Sequence, residues 1–271
     1  MPNSYYLRLV LLLLPLLSSD VMAGPNDYSA EVAQAINTLT EEHIPSLTEQ
    51  ANARDPKAQT LLGFAYFYGK GVRQDNQQAM QWLQKAAEQG DVLAQYQLGV
   101  NYAAGSGVTQ NYEQASKWYG KAAEQGFAEA QFRLGTHYRM GTGLEQNDKQ
   151  AVKWFRKAAQ QDHAEAQWSL GLMYQSGMGV PKDKVTAAKW FQRSAEGGFP
   201  KAQYFLGIMY DLGKGVSKDP VAAYMWYDLS QILGEPAGIK FRDELAAQMT
   251  PDQISKAQEK SAQWLKLHQP R

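Results

Sequence analysis

The chain has no cysteine among its 271 residues. Disulfides, cysteine–zinc sites and thiol catalysis are therefore excluded, and stability must come from an apolar core. Neither charge is in excess, with Lys plus Arg and Asp plus Glu at 27 each. No Lys/Arg-rich run occurs, so a nucleic-acid partner or an anionic lipid surface has no basic face to dock on. Histidine is scarce: His43, His137, His163 and His268 lie far apart, without the His-x-x-x-His spacing that announces a metal site. No Gly-x-Ser-x-Gly elbow and no Ser-x-x-Lys is present, so the sequence offers no acylation motif. No cofactor or metal is expected, and no catalytic residue is assigned.

Long apolar runs are also missing, apart from one at the start. Arg8 precedes the apolar stretch Leu9–Leu17, and Val21-Met22-Ala23 closes the segment with residues a signal peptidase reads. That arrangement predicts a secretory signal peptide over residues 1–23, cleaved after Ala23. The alternative, a membrane anchor, requires about 20 apolar residues, so no stable membrane insertion is expected. A periplasmic or secreted protein beginning at Gly24 is the expectation.

What the chain does have is a period. Trp82, Trp118, Trp154, Trp190 and Trp226 are each 36 residues from the next. The same step carries Gln59, Gln95, Gln131, Gln167 and Gln203, and also the glycine row Gly63, Gly99, Gly135, Gly171 and Gly207. A strict period of this size belongs to stacked repeats. The predicted fold class is all-α, an α/α superhelical solenoid of tandem helix hairpins. Its five units cover residues 56–91, 92–127, 128–163, 164–199 and 200–235. Residues 24–55 form an N-terminal capping pseudo-repeat, since Leu47 and Ala51 fall 36 before Leu83 and Ala87. Residues 236–271 form C-terminal capping helices, opened by Thr250-Pro251-Asp252-Gln253 in a capping-box spacing.

Within one unit, Ala58, Leu62 and Tyr66 share a helix face. Gly69-Lys70-Gly71-Val72 ends that helix, and Asp75 stands where an N-cap is needed for a second helix carrying Ala79, Trp82, Leu83 and Ala86. The mid-helix glycine, costly in a helix, points to a neighbouring helix backbone too close for a Cβ. The tryptophans read as packing, with a ligand-stacking ladder as the alternative. Lys85, Lys121 and Lys157 read as solvated helix ends, and His137 as a polar surface residue, with a binding-surface residue as the alternative. Gly207-x5-Gly213-Lys214-Gly215 has the wrong spacing and follows a helix, so it is not a phosphate loop.

The pattern Ala-Gln-x-x-Leu-Gly-x-x-Tyr-x-x-Gly-x-Gly-Val, followed by Asp/Asn-x-x-x-Ala-x-x-Trp, resembles the Sel-one-like (SEL1-like) repeat, a relative of the tetratricopeptide repeat with a longer inter-helix loop. The resemblance covers residues 56–235. It implies a right-handed superhelix used as a protein-interaction scaffold, in bacteria often exported or periplasmic. Some exported members act as immunity or inhibitor proteins against a toxic effector such as a lipase, which gives an alternative function. Cysteine-rich relatives have been described as penicillin-binding or β-lactamase-like. Their paired cysteines are absent here, so that hydrolase reading is the weakest.

Packing explains the rows that stay fixed, so function is sought in rows that vary. Matched to the tetratricopeptide register, the concave surface takes the positions of residues 57, 60, 64, 67 and 68. The candidate partner-binding residues are Phe64, Tyr68, Tyr96, Phe132, Arg139, Met140, Trp168, Gln175, Tyr204 and Asp211. Two readings of the row Thr60, Tyr96, Phe132, Trp168, Tyr204 are open: it lines a groove for a protein segment, or it completes the hairpin core. A protein partner of a monomeric, non-catalytic chain is the expectation.

Overall fold

The structure, a computed structural model, describes the backbone of residues 25–268 and the side chains of residues 31–268. The expected signal peptide lies outside the described residues. Fourteen α-helices and one 3-10 turn, with no strand, make up the described part. They divide into two compact units, which meet in sequence between Gln146 and Asn147, inside the loop of the third repeat.

The first unit holds α1 (Pro25–Thr38), a 3-10 turn (Glu41–His43), α2 (Ile44–Asn52), α3 (Pro56–Tyr68), α4 (Asn76–Glu88), α5 (Val92–Ala104), α6 (Tyr112–Glu124) and α7 (Ala128–Met140). From α2 onward each helix packs on its sequence neighbour: α2 on α3, α3 on α4, and so to α7. The second unit holds α8 (Asp148–Ala159), α9 (Ala164–Ser176), α10 (Lys184–Glu196), α11 (Pro200–Leu212), α12 (Pro220–Ile232), α13 (Gly238–Ala246) and α14 (Pro251–Leu267). Here too neighbours pack in order, and both α13 and α14 close on α12. The tandem all-helical fold expected from the period is thus observed.

Local chemistry sets the helix ends. Asp75, Asp183 and Asp219 each accept from two backbone N–H groups of the first turn of the second helix, satisfying donors that the helix leaves open. Thr250 and Gln253 form the reciprocal capping box at the start of α14. The loop glycines answer to sterics: Gly107 has φ 72°, and a Cβ there would lie 2.7 Å from the Asn76 carbonyl oxygen of the preceding repeat.

Two fixed rows make the contacts that hold a stack together. Each row glutamine donates from Nε2 to a backbone carbonyl of the helix before it: Gln59 to Ala51 at 2.8 Å, and Gln95, Gln131, Gln167 and Gln203 to Ala87, Ala123, Ala159 and Ala195 at 3.1 Å. Each of these carbonyls also accepts from the backbone N–H three residues on, and the glutamine amide takes the second acceptor site of the oxygen. The Gln59–Ala51 bond and the burial of Leu47 and Ala51 give α2 the place of a second helix.

The mid-helix glycines have a cause different from the expected one. The group that would collide with a Cβ is a side chain, not a helix backbone. It would lie 2.6 Å from Phe191 Cε1 at Gly171, 2.6 Å from Tyr227 Cδ1 at Gly207 and 2.8 Å from Leu83 Cγ at Gly63. The residues after Trp82, Trp118, Trp190 and Trp226 thus fill the space that these glycines leave open, at close-packed density.

Four of the five row tryptophans, Trp82, Trp118, Trp154 and Trp190, carry a cation against the ring. Trp118, Trp154 and Trp226 are buried, while Trp82 and Trp190 are half-buried. Lys85, Lys121 and Lys157 place Nζ 3.9, 4.0 and 4.3 Å from the ring centres of Trp82, Trp118 and Trp154. These lysines were expected to be simple solvated ends; they are i, i+3 cation–π partners.

Candidate partner-binding site

The candidate residues all lie on the first helices of the repeats, and the structure sorts them by openness. The 60 row faces inward in part. Tyr96 lies against Tyr119 (5.8 Å between centroids) and Phe127 (5.1 Å), Trp168 against Phe191 (4.9 Å) and Phe205 (5.3 Å), and Tyr204 against Tyr227 (6.1 Å) and Phe241 (5.7 Å). Each of these three rings spans from the hairpin core to a half-exposed edge. Phe132 is half-buried and carries the Arg133 guanidinium 5.6 Å from its ring centre. Phe64 is buried, 8% exposed, so as the chain is folded it presents no surface to a partner.

The last two positions of each first helix are more open. Arg139 and Met140 are exposed, Gln175 and Asp211 are half-buried, and Asp211 is hydrogen-bonded to the Tyr227 side chain. Burial, followed by the nearby Asp211 charge, pushes the Tyr227 hydroxyl pKa upward, holding it neutral. At one repeat position the exposed residue is large and apolar three times: Tyr68 is 55% exposed, Met140 62% and Leu212 55%. Single exposed apolar residues are ordinary on a protein surface, but their recurrence at one register position needs an explanation.

Electrostatics on the first unit's helix faces is local. Glu129 accepts from Arg133 Nε at 2.8 Å. Burial first, then the Glu129 charge, raises the Tyr96 hydroxyl above its ordinary value. Among the described residues no group of three or more His, Asp or Glu side chains could hold a metal ion. No described helix is long and apolar enough to cross a membrane.

His137 is not a surface residue. It is buried, with Nδ1 2.7 Å from the Ser116 hydroxyl oxygen and its ring edge-on to Tyr119 at 5.3 Å. Ser116 also bonds the Tyr112 and Thr142 carbonyl oxygens at 2.9 and 3.1 Å. Burial, then the Arg133 charge, lowers the His137 pKa from 6.5. The signal for this pair was a spacing of 21. Asn101 stands the same distance after Met80 and donates to its sulfur at 3.0 Å. The corresponding residues farther on, Ala188 and Met209, are both apolar and share one core cluster. These two positions touch across adjacent repeats, through a hydrogen bond at Met80–Asn101 and at Ser116–His137.

Helix hairpins in tandem, with glutamine staples between them and apolar residues left open on the first helices, define a repeat protein of the tetratricopeptide-like class. The chain belongs to the Sel1 repeat family, whose model matches residues 56–91, 92–127, 128–163, 164–199 and 200–230. It is similar to the crystal structure of a protective antigen present in uropathogenic Escherichia coli strains that displays an SLR fold. That match has 38% identity and a TM-score of 0.74, and it covers 81% of this chain and 48% of the antigen, so the chain spans about half the antigen's length. A Sel1 repeat protein from Oxalobacter formigenes is similar at 34% identity and a TM-score of 0.73, covering 89% of this chain and 97% of that one. An immunity protein from Pseudomonas aeruginosa is matched at 23% identity and a TM-score of 0.44, with 84% of each chain covered, a likeness that carries no argument about function. No curated protein matches the chain.

Proposed function

We propose that the protein is an exported, non-catalytic scaffold that captures a protein partner on the first helices of its repeats, acting in the periplasm or outside the cell. One observation carries this reading: Tyr68, Met140 and Leu212 are large, apolar and more than half exposed at the same repeat position. Packing accounts for the tryptophan, glutamine and glycine rows, whereas these three side chains turn more than half of their surface to solvent, Tyr68 doing so while also meeting Phe64 and Phe67 at 6.1 and 5.0 Å between ring centres. Aromatic and flexible apolar residues supply much of the energy of protein interfaces, and methionine adapts to irregular partners. Arg139, next to Met140, adds a polar contact of the type that fixes orientation. Repeats of this class bind along extended faces because each unit contributes the same helix to one side.

The test is capture of the native partner by the triple variant Tyr68→Ser, Met140→Ser, Leu212→Ser. These side chains are open to solvent, so the variant is expected to keep its helical content and unfolding midpoint while losing the partner. Retention of the partner at wild-type level would contradict the reading.

A further inference from the structure

The first helices are not equally open along the chain. Leu61 and Gln97 are buried, whereas Arg133 at the same repeat position is exposed and Ser169 and Phe205 are half-buried. One turn away, Phe64 is buried where Val100, Thr136, Leu172 and Ile208 are half-buried. Leu93 is buried where Glu165 and Lys201 are exposed. The sequence changes with the burial, since Leu61 and Leu93 are apolar where the open positions include Arg133, Glu165 and Lys201.

α1 packs on the same two helices, α3 and α5, the first helices of repeats 1 and 2. It buries Val32, Ala35 and Ile36, an i, i+3, i+4 set on one helix face. The next residues, Leu39 and Thr40, are all that separate it from the 3-10 turn Glu41–His43. That turn is held by the bond from the Thr40 N–H to His43 Nδ1 at 3.1 Å. A helix of this length is marginal on its own. Three buried apolar side chains on so short a tether give a contact sustained by high effective concentration.

We propose that the face of α3 and α5 beneath α1 is a helix-docking site, that its partner is an amphipathic helix with apolar residues at the same i, i+3, i+4 spacing, and that α1 is its resident occupant and must leave for that partner to bind. The proposal rests on the reading that first helices capture the partner. It adds the class of partner and a regulation: one end of the interaction face is closed by the chain itself. Helix-in-groove recognition reads this spacing of anchors. A site that is occupied part of the time binds an external ligand more weakly by the fraction that is open.

The absence of cysteine makes the site directly readable, because one introduced thiol is the only one present. Gln97→Cys is expected to react with a small aromatic disulfide reagent at least about tenfold more slowly than Arg133→Cys, since a covered thiol reacts only through local opening. Adding Val32→Glu and Ile36→Glu undocks α1 and should bring the two rates together. A synthetic peptide of residues 25–38, added up to about 1 mM to match the effective concentration of a short tether, should restore protection, and the same peptide carrying both glutamates should not. A second variant, with a protease site inserted between Leu39 and Thr40, leaves every α1 residue native. Cleavage at micromolar concentration should raise the Gln97→Cys rate with little change in the circular dichroism of the repeats.

Equal rates for Gln97→Cys and Arg133→Cys in the otherwise native chain would overturn the proposal. So would failure of the native peptide to protect the undocked chain, or an unchanged rate after cleavage. None of these readouts needs the captured partner. They therefore fail or succeed independently of the Tyr68, Met140 and Leu212 experiment.

Discussion

Replacing Gly171 by alanine is expected to destabilise the protein, although the same change in an open helix stabilises it. In a helix interior alanine is favoured over glycine by about 1 kcal/mol. At Gly171 the new Cβ would lie 2.6, 2.7 and 3.1 Å from three atoms of the Phe191 ring. That ring is fully buried and packs in a triangle with Trp168 at 4.9 Å and Phe205 at 5.2 Å. Overpacking of this kind costs about 1–3 kcal/mol, and a fully buried ring with two aromatic neighbours belongs in the upper part of that range. The net expectation is a loss of about 1–2 kcal/mol.

Gly120, in the interior of α6, is the internal control, because nothing lies within 4 Å of a Cβ built there. Gly120→Ala should raise stability by up to about 1 kcal/mol. Urea unfolding followed by both circular dichroism and tryptophan fluorescence gives the two midpoints, and coincidence of the probes checks that one transition is being measured. Combining Gly171→Ala with Phe191→Leu should show a coupling of about 0.5–3 kcal/mol, because the two sites share one space. If Gly171→Ala raises the midpoint as Gly120→Ala does, the account of the glycine row is refuted.

Four further outcomes are expected. Gln95→Leu removes the 3.1 Å bond to the Ala87 carbonyl and one acceptor of Gln125; each partner keeps a second bond, so the loss should be about 0.5–1.5 kcal/mol per hydrogen bond, read from the urea midpoint. Asp219→Ala removes the cap on Val221 and Ala222 at 2.9 and 3.0 Å, and should cost about 0.5–2 kcal/mol by the same assay. His137 has its folded-state pKa below its ordinary value of 6.5, so the unfolded chain takes up its proton first. Stability should therefore be level above about pH 6.5 and fall as the pH drops toward the folded-state pKa, with His137→Gln flattening that slope in urea midpoints taken from about pH 8 to 5. N-terminal sequencing of protein recovered from cells should begin at Gly24, and recovery of the chain with Met1 intact would contradict export.

The sequence made the repeat legible because packing in a tandem array acts at one register position after another. The glutamine row stands out since every second helix ends in a carbonyl whose second acceptor site takes the same donor. The reason for the glycine row was not legible, because it depends on which face of the second helix points back. Leu83, Tyr119, Phe191 and Tyr227 show nothing in their own local pattern that aims them at a glycine twenty residues earlier. His137 was misplaced for a related cause: its partner Ser116 lies in the preceding repeat, and comparing each repeat with itself hides contacts between repeats. The position of α1 was beyond reach altogether. Its apolar spacing specifies an amphipathic helix, but docking on α3 and α5 is settled by tertiary contact alone. Of the candidate site, the exposed positions Tyr68, Arg139 and Met140 followed from the register, while the inward lean of Tyr96, Trp168 and Tyr204 reflects aromatic neighbours in the second helix and the following loop.

The central claim, partner capture on the first helices, is tested most directly by site-specific photocrosslinking. A photoreactive phenylalanine analogue is placed in turn at Tyr68, Met140 and Leu212, and at Gln81, Lys117, Lys153 and Lys189, which are exposed on the second helices. The account predicts that the first three positions crosslink one and the same protein in the native compartment and that the other four do not. Adducts confined to the second-helix positions would contradict it.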